Sequence, residues 1–401
     1  MSEVTNIPIL RFPEFEDHYS KYRLDQLLDL LTDFEANGSF ASVKENVTVY
    51  DDHNFAWYVR ATDLENNSDP EGVKYVDEHS YNFLKKTKLF GDELLITKRG
   101  EIGKVYYFQG QVKSTLAPNL YLLKLNSDVV SKYLFYFFKG LKGNKKLRRI
   151  NASTTIGALY KDDVKSIKVD TPSLPEQQKI ADFLTTVDKR IELLEKKKTL
   201  LETYKKGVMK KIFDQEIRFK DDKGNDFPDW EEKKVKDVFR VTRGNVLSVN
   251  QMTESENLDY RYPVYSSQTK NKGVVGYYNE FLFQDSLTWT TDGANAGEVN
   301  FRKEKFYCTN VCGVLISENG FANECISNLI NSVSKRYVSY VGNPKLMNGV
   351  MAEIKLAFPS IKEQEKISEF LSSIDIQIEL LETQIEKSKT WKKGLLQKMF
   401  V

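Results

Sequence analysis

The stretch "LPEQQKIADFL", Leu174 to Leu184, is written again 187 positions later as "IKEQEKISEFL", Ile361 to Leu371. The likeness runs without a gap from Pro172–Phe213 to Pro359–Phe400, with about half the positions identical. A repeat at a fixed separation reorganises the reading of everything around it. In the first copy Ile180, Leu184, Val187, Ile191, Leu194, Leu201, Val208 and Ile212 recur in alternating steps of three and four, interrupted by Lys198 and Lys205. Ile367, Leu371, Ile374, Ile378, Leu381, Ile385, Leu395 and Met399 repeat the pattern. Sustained over several heptads with Glu and Lys on the flanks, this predicts a coiled-coil seam rather than the wider stripe of a helix lying on a globular core.

Each copy is expected to be one helix of about 38 residues, on the order of 57 Å long at 1.5 Å per residue. Pro172 and Pro359 mark where extended chain gives way to helix, because proline restricts the residue before it yet is tolerated in the first turn. Glu176 and Glu363 fall in the first turn, favourably for the helix dipole, and Lys205, Lys206, Lys210 and Lys211 fall toward the end. The two helices are expected to bury their seams against each other. Outside them the repetition is faint: "FPEFE" at Phe12–Glu16 is answered by "FPDWE" at Phe227–Glu231. The chain thus divides into a first globular region, 1–171, a first long helix, 172–213, a second globular region, 214–358, and a second long helix, 359–401. Both globular regions read as mixed: "YVRATDL" from Tyr58, "GDELLITKRGEIGKV" from Gly91 and "QDSLTWTTDGANAGEV" from Gln284 suggest short strands broken by glycine turns. The fold class is α+β.

A chain of 401 residues with 40% hydrophobic content can fill two or three globular cores. No apolar run approaches the roughly 20 residues of a membrane helix, and "MSEVTNIPIL" lacks the basic start and apolar core of a signal peptide; a cytoplasmic location without membrane partners is expected. Cys308, Cys312 and Cys325 lie far in sequence from His18, His53 and His79, so they read as buried thiols and no metal site is assigned. The net charge of +2 hides a segregation: Met1–Ser80 holds 6 Lys/Arg against 17 Asp/Glu, and Tyr81–Ile150 holds 15 against 4. The basic block, with "TKRGEIGK" and "KGLKGNKKLRR" interleaved with Phe83, Phe90, Tyr106, Tyr107 and Phe108, has the composition of a phosphate-facing surface, although a solvated face has the same composition.

The order of parts resembles the specificity subunit of a type I restriction-modification system: a variable region opened by "RFPEF", the "GDELLITKRGEIGKV" stretch, the "LPEQQKIADFL" helix, a second variable region and a second helix. The resemblance covers nearly the whole chain. It implies two target recognition domains, each reading half of a bipartite sequence in double-stranded DNA, and an antiparallel coiled coil that sets their spacing. It further implies two methyltransferase subunits and restriction (motor and nuclease) subunits as partners, which would hold S-adenosylmethionine, ATP and magnesium. The second copy departs from the pattern at Lys362, where proline is frequent, and in "GANAGEV". The residues agree with a chain that has no catalytic site and binds no cofactor of its own. "GNPKL" at Gly342 lacks the second proline and the aromatic of an adenine methyltransferase tetrapeptide, "GEIGKV" ends in valine where a phosphate loop has its hydroxyl, and Asp292 with Glu298 lacks the lysine of a nuclease cluster.

For DNA contact the candidates are Lys98, Arg99, Gly100, Gly103, Lys104, Arg148 and Arg149 in the first region. Glycines let backbone approach a phosphate, lysine and arginine neutralise it, and arginine also reads guanine. In the second region they are Arg243, Lys270, Lys272, Thr290, Thr291 and Asn295, while the aromatics around Trp289 read as core. Two other classes stay open: a coiled-coil scaffold without DNA specificity, and a stand-alone DNA-modifying enzyme.

Overall fold

The computed structural model describes residues 7–65, 72–110, 112–152, 159–267 and 270–401. The chain forms two compact units, Met1–Leu194 with Gln384–Val401, and Glu195–Thr383. Each long helix is therefore divided between the units, which the four-part division of the sequence does not anticipate.

The first unit runs β1 (Ser20–Arg23), β2 (Leu28–Asp33), α1 (Phe40–Asn46), β3 (Val49–Tyr50), β4 (Ala56–Val59), α2 (Ala61–Glu65), β5 (Lys74–Val76), α3 (Glu78–Phe83) and β6 (Lys88–Leu89). It continues with β7 (Glu93–Thr97), β8 (Val105–Phe108), β9 (Ser114–Leu116), β10 (Leu120–Leu125), α4 (Ser131–Lys139), α5 (Leu141–Ala152), α6 (Lys161–Lys165) and β11 (Lys168–Thr171) before the first long helix, α7 (Leu174–Phe213). Strands β2-β10-β7-β8 form one sheet and β3-β5-β4-β9-β6 another. Strand β7, "ELLIT", is buried at every position, which is why its centre, Leu94 to Ile96, is apolar without alternation. "YVRATDL" is strand only up to Val59. The Asp63 carboxylate accepts the Arg60 backbone N–H at 3.0 Å and the Arg60 guanidinium at 2.6 Å, and this closes a helical turn over α2.

The second unit holds β12 (Glu231–Lys234), α8 (Val235–Val238), β13 (Arg240–Arg243), β14 (Tyr262–Tyr265), β15 (Val274–Tyr278), β16 (Phe283–Thr290), β17 (Val299–Cys308) and β18 (Cys312–Ile316). Then come α9 (Glu324–Ser334), α10 (Asn348–Glu353), β19 (Lys355–Phe358) and the second long helix, α11 (Ile361–Lys398). Its main sheet has the order β13-β18-β16-β17-β14-β15.

A two-stranded clamp closes each unit at the foot of its long helix, β1 with β11 and β12 with β19. Next to it Leu24 N–H donates to the Ile167 carbonyl at 2.7 Å, and Val235 N–H donates to the Ile354 carbonyl at 2.9 Å. The repeated Glu-Gln pair docks the helix. Glu176 is fully buried and accepts from Arg11 at 2.8 Å and from the Tyr19 hydroxyl at 3.2 Å. Glu363, also fully buried, accepts from Arg218 at 2.8 Å and from the Trp230 indole at 2.9 Å. The hydrogen bond to the glutamate raises each arginine above its ordinary value. Gln177 and Gln364 turn back to donate to the carbonyls of Pro172 and Pro359 at 3.0 and 2.7 Å. These glutamates are more than dipole partners: they are the buried centres of two matching latches. The latches also correct the pairing of the flanking sequences. Arg11-Phe12 is answered by Arg218-Phe219, with Phe12 against Phe183 and Phe219 against Phe370, so "FPEFE" and "FPDWE" are not equivalent.

The helices pair antiparallel in each unit. In the first, Asp188 meets Lys392 and Phe183 packs edge-on against Trp391 at 6.0 Å. In the second, Lys198 meets Glu382 at 2.9 Å and Lys205 meets Asp375 at 2.6 Å. Lys198 and Lys205, the two interruptions of the seam, are therefore cross-helix ion pairs. Ile180, Leu184, Val187 and Ile191 are buried, as are Ile367, Leu371, Ile374, Leu381 and Ile385, whereas Leu194, Leu201 and Ile378 are half-buried. The start of each seam does more than pair helices. Ile180 to Ile191 share one apolar cluster with Leu24, Tyr133, Phe137, the α11 residue Leu395 and, just beyond that helix, Met399 and Phe400; Ile367 and Leu371 share another with Leu287, Trp289, Leu356 and Ile212. Seam and core stripe coincide there, contrary to the expectation of a seam alone.

Candidate nucleic-acid interface

In both units the glycine-containing stretch is a hairpin tip with the same wiring. Thr97 N–H donates to the Lys104 carbonyl at 3.0 Å and Gly103 N–H to the Thr97 carbonyl at 2.9 Å; Thr290 N–H donates to the Glu298 carbonyl at 3.0 Å and Gly297 N–H to the Thr290 carbonyl at 2.8 Å. Gly100 and Gly103 have φ of 77° and 79°, and Gly293 and Gly297 have φ of 97° and 87°, a region costly for residues with a side chain. Each turn is anchored from below, because Leu159 N–H reaches the Lys98 carbonyl and Leu346 N–H the Thr291 carbonyl.

That anchoring takes two of the sequence candidates out of the surface. Lys98 is 6% exposed. Its ammonium lies 3.0 Å from Asp33 and also pairs with Glu35, while Lys161 reaches the other Asp33 oxygen at 2.9 Å. Burial alone would raise the Asp33 carboxyl, but the hydrogen bonds from Lys161 and Lys98 outweigh it and leave Asp33 below the ordinary range. Thr291 is buried too, its hydroxyl within donating reach of either the Asp292 carboxylate or the Val311 carbonyl, at 2.8 and 2.9 Å. Lys104 is half-exposed but bound to Glu65 at 2.8 Å and to Glu101. Acids of the first 80 residues thus neutralise bases of the next 70, which the linear charge count could not reveal.

Arg99, Arg148 and Arg149 are exposed, and no carboxylate pairs with them among the described residues. The tip and α5 are neighbours, since a Cβ on Gly103 would stand 3.4 Å from Leu147, the residue just before Arg148. In the first unit, then, Arg99, Gly100, Gly103, Arg148 and Arg149 come together around one turn and one helix, beside the exposed Lys142 and Lys145. In the second, Arg243 is exposed at the end of β13, and Thr290 and Asn295 are half-buried at the tip. The side chains of Lys270 and Lys272 lie outside the described residues. Trp289 is fully buried and donates to the Leu346 carbonyl at 3.0 Å, as a core residue does. The three cysteines are buried and unbridged.

Sequence reasoning missed Lys139 and Arg302. Lys139 is exposed at the end of α4, with its ammonium 5.6 Å from the centre of Tyr106 and 5.5 Å from that of Phe135. Arg302 lies 3.8 Å over Tyr265 and donates from Nε to Thr288 at 3.1 Å. Desolvation by the surrounding protein lowers both cations from their ordinary values. A charge on a strand or helix gives no linear signal that rings will stand beside it.

The model of the type I restriction modification DNA specificity domain matches residues 18–203 and 228–389, one copy for each half of the repeat. The chain belongs to the type I restriction-modification specificity subunits. It is 33% identical over 144 residues to the type I restriction enzyme MpnII specificity subunit of Mycoplasma pneumoniae, a stretch covering 35% of this chain and 42% of that one. This specificity subunit also shares its fold with solved relatives. The crystal structure of the S subunit from M. genitalium aligns over 98% of this chain and 99% of its own with a TM-score of 0.61 at 17% identity. A chain from a study of complex assembly and conformational transition of the type I restriction-modification system aligns over 96% and 97% with a TM-score of 0.59 at 12% identity. Among the described residues, no helix of the subunit is long and apolar enough to cross a membrane.

Proposed function

We propose that this subunit reads a bipartite sequence in double-stranded DNA, one half-site for each globular region, and carries no catalytic site or cofactor of its own. The observation that carries this reading is the contrast within the duplicate: latch, clamp and hairpin wiring recur bond for bond, while the side chains on the hairpin tips differ. Arg99, Arg148 and Arg149 neutralise phosphates and fix the register of the first region, a role that supplies affinity without sequence information.

Methyltransferase subunits dock on the helices. Supporting this, Leu193 and its repeat equivalent Leu380 are 67% and 57% exposed, and Tyr204 and its equivalent Trp391 are 54% and 51% exposed. Large apolar side chains on an outer helix face mark an interaction surface. Each unit carries one such leucine and one such aromatic, which fits two methyltransferase subunits per chain. Restriction subunits join that complex, S-adenosylmethionine, ATP and magnesium sit on the partners, and the assembly works in the cytoplasm on cellular DNA.

A salt-titrated binding assay tests the DNA reading. The wild-type complex should bind its target with a steep salt slope, and Arg148→Ala and Arg149→Ala should each weaken binding to all sequences alike and reduce the slope by about 1. Binding that ignores both salt and sequence would leave the scaffold reading standing. Mass measurement with excess methyltransferase should give two per chain.

A further inference from the structure

In each unit a cleft opens between the strand that returns from the glycine hairpin and the helix that follows the sheet. In the first, β8 is the edge strand of its sheet, and Trp57, Glu65, Lys104, Tyr106, Phe135 and Lys139 line a cleft of about 570 Å³. In the second, β17 meets β14 only through Tyr307 and Cys308, and Thr288, Thr290, Glu298, Asn300, Arg302 and Asn331 line one of about 430 Å³. The clefts are equivalent places. Lys104 and Glu298 close the two hairpins by the same bond, and the helices α4 and α9 start from the same anchor, with Val130 N–H and the Asn323 amide donating to the side-chain oxygens of Gln177 and Gln364 at 2.9 and 2.7 Å.

Same place, different chemistry, one shared peculiarity: each cleft holds a cation beside aromatic rings, the exposed Lys139 or the half-buried Arg302, with which no carboxylate pairs among the described residues. The first adds the Trp57 indole N–H, buried without a hydrogen-bond partner. Removing donors from water without supplying acceptors is unfavourable, so a ligand rich in acceptors is the natural complement. A cation held against one ring face, as Arg302 is over Tyr265, suits a directional acceptor pair such as guanine O6/N7, which arginine and lysine read in the major groove; in the first cleft the fixed donor is the Trp57 indole N–H, which lines the same cleft as Lys139.

We propose that these clefts are the base-reading sites of the two recognition domains, with Lys139 in the first and Arg302 in the second donating to the acceptor edge of one purine in each half-site. This rests on the DNA-reading function proposed above. Divergence of the cleft side chains on an unchanged frame then accounts for two half-sites of different sequence.

The test uses the full complex with its methyltransferase and the target found by mapping modified bases. Each purine is replaced in turn by its 7-deaza analogue, which removes the N7 acceptor, and Kd is measured for the wild type, Arg302→Met and Lys139→Met. One position in each half-site should weaken wild-type binding roughly 5- to 150-fold. That sensitivity should vanish in Arg302→Met for one half-site only and in Lys139→Met for the other only. Unchanged sensitivities in both variants overturn the proposal. So does equal weakening on all DNAs with a reduced salt slope, which would make the two cations phosphate contacts. If the Met variants melt early, Arg302→Leu and Lys139→Leu, which likewise bring no hydrogen-bond donor, run the same cycle: loss of the base coupling supports base reading, and its retention overturns it. A wild-type complex with no preferred target would instead refute the function itself, an outcome visible before any variant is made.

Discussion

The two latches and the two clefts occupy corresponding places in the two units, yet they have had opposite histories. Glu176 with Arg11 and Tyr19 is matched by Glu363 with Arg218 and Trp230, an arginine and an aromatic donor each time. The clefts share a position and a cation beside aromatic rings, but Lys104 corresponds to Glu298 in the duplication, and Tyr106 to Asn300. A buried carboxylate has few solutions, because removing either partner leaves a charge without compensation. A cleft wall tolerates any side chains that fit its strand. The frame is therefore held fixed by energetics while the reading surface is free to change.

Exchange of residues 24–167, which lie between the paired frame bonds of Leu24 and Ile167, for the same region of a relative would sharpen this comparison most. It should replace one half-site completely and leave the other untouched, as mapped by modified-base sequencing. A change in both half-sites would break the separation of frame from reader. Next in size, Glu176→Ala and Glu363→Ala should each destabilise the protein by about 3–5 kcal/mol, since each leaves a half-buried arginine and the buried Tyr19 or Trp230 donor without their acceptor. Denaturant unfolding of the two variants should give similar losses; a large loss in one alone would mean that the latches are not equivalent.

Somewhat smaller, Leu184→Ala and Leu371→Ala, at fully buried positions where seam and core stripe coincide, should cost about 2–5 kcal/mol, and Leu201→Ala, on the half-buried part of the seam, clearly less. Equal costs would point to a uniform coiled coil. The smallest effect belongs to Asp33, whose cluster has no counterpart at Thr291. Its folded carboxyl titrates below the unfolded one, so its contribution is present above about pH 4 and fades as pH falls through the folded value. Asp33→Asn should remove that part of the acid dependence, read as stability against pH between about pH 5 and 2.

The doublet, the long helices and the glycine turns were legible because each rests on local pattern: a heptad stripe, a proline boundary, a glycine where φ is positive. The pairing of "FPEFE" with "FPDWE" failed because likeness over five residues cannot locate a salt bridge made across 165 positions in one unit and 145 in the other. Lys98 failed as a surface candidate for the same reason. A lysine beside a glycine turn looks solvated in sequence, and only the return of Asp33 and Glu35 to that turn buries it.

By itself, then, the amino-acid order determined that two matching helices carry two unlike globular regions, since periodicity and repetition are properties of the chain. Tertiary structure alone decided which charges cancel, which glutamates become buried latches, and that Lys139 and Arg302 stand beside aromatic rings without a paired carboxylate among the described residues. Those outcomes depend on which distant segments share a solvent-excluded space, and burial there converts a charge worth little in water into one that must find a partner.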